Sequence, residues 1–175
     1  MELPGETFLF NLSLLAITFS AVSALVMLLR QTMGGKLSKF DVYLVNSYVS
    51  HGFVLAIAAI LPSLIAQLGF SVVMVWTVAS LLAAALIGIK VVNTMRQRRA
   101  ITKGPMPFAL KVSFSLICIA VPILLTNALI PIAQGAGLFE LALTISLASV
   151  MWSFVRRVST LLDDHPNEDW DPNRG

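Results

Sequence analysis

Apolar residues in this chain come in long runs separated by short polar connections. The first run, Phe8 to Leu29, contains no charge. The second, Val42 to Leu68, contains only the titratable His51. Phe70 to Ile89, Val112 to Pro131, and Gly137 to Val155 follow, the last with Glu140 near its start. Most reach the roughly 20 residues that a helix needs to cross hydrocarbon. The pattern therefore predicts an all-α, polytopic membrane protein with five transmembrane helices over 8–29, 42–68, 70–89, 112–131 and 137–155. These form a single domain over residues 1–162, followed by an acidic tail, 163–175, expected to be disordered alone. The second run is longer than a crossing requires and should tilt or kink, with Pro62 in its last third. The first run lacks a basic leading segment, and its apolar core exceeds the ~7–15 residues of a signal peptide, so a retained helix is expected.

Composition agrees. Of 175 residues, 57% are hydrophobic and 12% charged, against roughly 25% charged in a soluble domain. A water-soluble fold could not hide that much apolar surface, so the bilayer must be the solvent for most of it.

The basic residues set the expected orientation. Arg30, Lys36 and Lys39 follow the first run. Lys90, Arg96, Arg98, Arg99, Lys103 and Lys111 surround the connection between runs three and four, and Arg156, Arg157 and Arg174 follow the fifth. With five crossings all 12 lysines and arginines fall on one side, while the other keeps only Glu2, Glu6 and Glu140. The positive-inside rule then puts the N-terminus outside and the C-terminus in the cytoplasm, in a plasma membrane and most simply a bacterial inner membrane. The outer connections are short, with a near-direct turn at Gly69, and offer no room for an external receptor domain.

Two stretches resemble each other. Ile60-Leu61-Pro62 matches Leu129-Ile130-Pro131, and Ala79-Ser80 matches Ala148-Ser149, both at a spacing of 69 residues. Ala66-Gln67 and Ala133-Gln134 follow the two prolines. This raises the expectation of two helical hairpins in parallel repeat plus one leading helix. Recurrent Pro and Gly at helix ends explain much of the same match.

The candidate chemistry is sparse. In the second run Tyr43, Asn46, Ser47, Ser50 and His51 fall within ~140° of arc. His51 lies ten residues past Asp41, roughly 15 Å along a helix axis and near the bilayer midplane. An ionisable group there is a candidate proton-sensitive or substrate-contacting site. The simpler role is interhelical hydrogen bonding, favoured because no second ionisable group is evident at that depth. Glu140 with Thr126 and Asn127 forms a candidate outer vestibule. Ser80, Ala84 and Gly88 form a candidate helix-packing face, expected to serve internal contacts first. Arg96, Arg98, Arg99 and Lys103, with Lys111, sit on a connecting loop as a candidate contact for anionic lipid, worth ~1 kcal/mol per charge. Asp41 fits a capping box with Ser38. Gly34-Gly35-Lys36 fails the phosphate-loop pattern, which needs a Gly where Arg30 sits and Ser or Thr where Leu37 sits. The lone Cys118 is expected to be a small buried hydrophobe.

No metalloprotease or serine-hydrolase motif occurs, and a bis-histidine haem would need a second intramembrane histidine. No catalytic activity, metal or cofactor is expected. The expected partners are a bilayer with an anionic cytoplasmic leaflet and a protein partner or homo-oligomer reached through the helices; nucleic acid is not. The leading functional expectation is an accessory or structural subunit, or an assembly factor, of a membrane complex. A small oligomeric transporter or channel using the stripe around His51 is the alternative. A sensor signalling through the acidic tail, with Trp170 as anchor, is a weaker third.

Overall fold

In the computed structural model the described backbone covers residues 3–32, 39–101, 108–130 and 134–163. It is helical almost throughout, in the order α1 (Glu6–Thr32), α2 (Lys39–Ala66), α3 (Val72–Ile101), α4 (Phe108–Leu129) and α5 (Ala136–Asp163). All five are long and apolar enough to cross a membrane.

Local chemistry explains the helix ends. Gly5 takes φ +80° just before α1, and its carbonyl accepts the first helical bond, from Leu9 N at 3.0 Å. The α2–α3 turn closes through Leu68 N to Ile65 O (3.1 Å) and Gly69 N to Ala66 O (3.0 Å). Gly69 sits there at φ +80°, where a side chain would be strained. Ser71 then caps α3, its Oγ accepting Met74 N at 3.4 Å and its carbonyl accepting Val75 N at 2.9 Å. Pro62 inside α2 and Pro122 inside α4 each remove one backbone donor; Pro62 is buried and Pro122 exposed.

The helix bounds correct the sequence expectation in one respect. α3 runs to Ile101 rather than ending at residue 89, so Met95 to Arg99 form its last turns and not a loop. Hydropathy marks where the apolar run stops, whereas the helix continues until a breaker appears. None occurs before Gly104 and Pro105, and Arg, Gln and Met favour the helix. For the same reason α5 continues past residue 155 to Asp163.

Consecutive helices pack side by side, and α5 closes the bundle by touching α1, α2 and α3 as well as α4. The core is small and apolar where helices meet, with Ala16, Ala58, Ala79, Ala83, Ala120 and Ala142 all buried. Around it, Phe10, Leu28, Phe53, Val73, Ile89, Ile119 and Val155 point outward, as a surface solvated by lipid tails allows. α1 and α2 cross closely at Gly52. A Cβ there would clash with Ser20 Oγ and come within 2.8 Å of the Ala16 carbonyl oxygen. No such crowding exists at Gly88, where an added Cβ meets nothing within 4 Å. Of the expected packing face, Ser80 and Ala84 are buried, while Gly88 brings no helix close.

Cys118 is a further correction, being exposed. It lines an outward groove with Ile119, Pro122 and Leu138, because the buried face of α4 is taken by Phe114, Ile117, Ala120 and Leu124. The capping box at Ser38–Asp41, Gly34–Lys36, Lys103, Pro131 and the tail beyond Asp163 lie outside the described residues or side chains.

Candidate functional site

α2 carries the polar stripe, and its geometry divides the stripe in two. Tyr43, Tyr48 and His51 turn inward and are buried, Ser47 and Ser50 are half-buried, and Asn46 is exposed. The Tyr43 hydroxyl donates to the Thr94 carbonyl of α3 at 2.8 Å. Tyr48 Oη lies 3.1 Å from Ser153 Oγ of α5, its ring edge-on to Phe154 at 5.7 Å and 85°. His51 Nε2 lies 3.0 Å from Ser146 Oγ.

From Ser146 the polar contacts continue through α5 to α4. Ser149 Oγ donates to the Ser146 carbonyl at 2.8 Å, and Ser113 Oγ donates to the Ser149 carbonyl at 2.8 Å. One imidazole-to-hydroxyl contact and two hydroxyl-to-carbonyl bonds thus join α2, α5 and α4, as buried polar groups in hydrocarbon require.

The expectation that His51 has no ionisable neighbour is corrected here. Lys90, counted in sequence with the basic connection, lies on α3 and reaches the residues around His51. Its Nζ donates to Ser50 Oγ, and Ser50 Oγ in turn donates to the Asn46 carbonyl at 2.6 Å. Lys90 and His51 line one cavity with Ser47, Tyr48, Thr94 and Ser113, closed on its apolar side by Phe114, Ile117 and Val150. Its volume is about 30 Å³, space for one or two waters. A signal for this neighbourhood was present: His51 is 18 residues before Gly69 and Lys90 is 21 after it. A tight antiparallel hairpin brings such positions to similar depth.

The opposite end holds a second polar knot. Asn127 is fully buried; its Nδ2 donates to Ser80 Oγ at 2.9 Å, and its Oδ1 accepts Gly135 N at 3.0 Å. Gln134 Nε2 donates to Thr77 Oγ1 at 3.1 Å and to the Ala128 carbonyl at 3.2 Å. One amide of α4 therefore ties α3 to the segment entering α5. Glu140 sits apart from this knot, against Gly5, with Oε1 buried and without a hydrogen-bond partner. The two residues of the expected vestibule thus occupy different environments, and Thr126 is exposed.

Arg96 and Arg99 are exposed at the end of α3, and Arg98 is half-buried within electrostatic reach of Tyr43. Arg156 stacks 4.9 Å from the Trp152 ring, a cation–π contact on the outer surface of α5.

Comparison with protein families, with curated proteins and with solved structures finds no match. The five helices suggest a multi-pass membrane protein. Among the described residues no three His, Cys, Asp or Glu side chains converge on a point where a metal ion would fit. What remains is a helical bundle whose interior polar groups largely bond to one another, with one small cavity holding two basic side chains.

Proposed function

We propose that the protein is a non-catalytic accessory or structural subunit, or an assembly factor, of a membrane complex. The observation that carries this reading is the mutual pairing of the interior polar groups. His51 with Ser146, Tyr48 with Ser153, and Asn127 with Ser80 and Gly135 join helices of the same chain, and the His51 cavity of about 30 Å³ is too small for an organic substrate. Binding sites for small organic molecules are typically ~300–1,000 Å³. The outward surface offers helix faces instead, including Leu141, Trp152 and Val155 of α5.

The orientation that goes with this reading has the N-terminus outside and the C-terminus in the cytoplasm, in a plasma membrane of bacterial type, supported by the one-sided distribution of lysine and arginine. The end of α3 then presents Arg96, Arg98 and Arg99 to an anionic leaflet. A duplicated hairpin is supported by the 69-residue spacing of its matching positions.

The test is mild-detergent purification of the tagged chain from its host, with native mass spectrometry of the intact species. A stoichiometric foreign subunit whose abundance falls when this chain is deleted supports the reading. A bare monomer or homo-oligomer overturns it.

A second reading, a small oligomeric transporter or channel, is favoured by Lys90 and His51 sharing a cavity within the span. Flux into liposomes that depends on both residues would replace the first reading with this one.

A further inference from the structure

Lys90 occupies an unusual position for a cation. It belongs to a membrane-spanning helix, and an ammonium carries three N–H donors. Ser50 Oγ accepts one of them. The acidic side chains that the structure describes, Glu6 and Glu140, stand at the opposite end of the bundle, near the start of α1 and of α5. Asp41, in the first turn of α2, precedes His51 by ten residues, roughly 15 Å along the axis. A charged ammonium in a medium of low dielectric needs a counter-charge, and a neutral hydroxyl is a weak substitute.

The cavity beside Lys90 has the composition of an anion site. Ser47, Tyr48, Thr94, Ser113 and His51 line it, the Tyr48 hydroxyl already bonded to Ser153 and that of Ser113 donating to the Ser149 carbonyl. The volume of about 30 Å³ admits a monatomic ion or a water but excludes phosphate esters, carboxylic acids and lipid headgroups.

We propose that this cavity binds a small monovalent anion of halide size, with the Lys90 ammonium as its principal counter-charge. The site rests on the cavity alone and on neither functional reading above.

His51 makes the site proton-linked. Protonated His51 and Lys90 would be two cations in one cavity, which repel unless an anion stands with them. Anion and proton therefore favour each other, and by reciprocity the anion binds more tightly as the pH falls. The titratable groups facing the cavity are His51 and Tyr48 from α2 and Lys90 from α3. α4 and α5 contribute Ser113, Phe114, Ile117 and Val150 to its wall, and Ser146 to His51, none of which titrates.

The experiment is thermal unfolding of the purified full chain in detergent, at constant ionic strength, with chloride or bromide replacing gluconate. The expected result is a saturable rise of the midpoint with either halide and none with sulfate, larger at acidic than at alkaline pH. Lys90→Met should weaken halide binding by roughly thirtyfold or more. His51→Gln should keep the halide effect and lose its pH dependence. Chloride NMR line broadening on the wild-type chain, displaced by bromide, gives a readout that needs no variant to fold. Absence of broadening in the wild type, a halide effect equal to that of sulfate, or a halide effect retained in Lys90→Met overturns the proposal and leaves the cavity to water.

Discussion

The Asn127 side-chain amide donates to Ser80 Oγ at 2.9 Å across the α3–α4 contact, both residues being fully buried. The same side chain accepts Gly135 N at 3.0 Å, so it joins two helices and the entry to a third. Asn127→Ala should destabilise the protein by about 1–3 kcal/mol, since it leaves the Gly135 N–H unpaired. Ser80→Ala should cost less, and the double variant should reveal a coupling of about 0.6 kcal/mol. Equilibrium unfolding in mixed detergent micelles measures all three.

Two glycines on neighbouring helices should respond oppositely to the same change. Gly52→Ala drives a methyl toward Ser20 Oγ and the Ala16 backbone oxygen, and backbone cannot rotate away. A loss of about 1–3 kcal/mol is expected, with α1 becoming more accessible to protease. Gly88→Ala meets open space and should stabilise α3 by about 0.5–1 kcal/mol through helix propensity. The same unfolding assay separates them, and equal effects would contradict the crossing described at Gly52.

At the other end of the bundle, Glu140 places a carboxylate oxygen in a buried position without a hydrogen-bond partner. Replacing it by the isosteric amide removes the charge that burial penalises. Glu140→Gln should therefore raise the unfolding midpoint. Gly5→Ala, at φ +80° and against the same carboxylate, should lower it.

Orientation yields to labelling. In a Cys118→Ala background, a cysteine at Gln67 should react with a membrane-impermeant thiol reagent added to intact cells. A cysteine at Arg96 should react only after the cells are opened. Gln67 and Arg96 are both exposed, so a reversed pattern would invert the proposed orientation rather than reflect burial.

The five helices were legible because uncharged runs of about 20 residues have few other homes. Helix ends were less so. The extension of α3 to Ile101 depends on helix propensity continuing where hydropathy stops, and a hydropathy reading looks only at the latter. The polar stripe on α2 was visible as an arc, but periodicity gives a face and not a partner. Ser146 and Ser153, which answer His51 and Tyr48, carry no distinguishing signal among the serines of α5. Lys90 was hidden by grouping it with the arginines that follow, although its distance from the Gly69 turn places it within about one helical turn of His51 in depth. Gly52, rather than Gly88, makes the close crossing because its neighbour across the contact is the narrow Ala16–Ser20 face of α1, information that resides in another helix.

Because α5 touches every other helix and is the last of the five to leave the ribosome, the bundle cannot close during synthesis. Until it inserts, Tyr48 and His51 lack the serines they bond to, and Ser113 lacks its carbonyl acceptor. For that interval the nascent four-helix intermediate holds unsatisfied polar groups inside the membrane. It is therefore the form most in need of an insertase, and the form a quality-control protease would recognise.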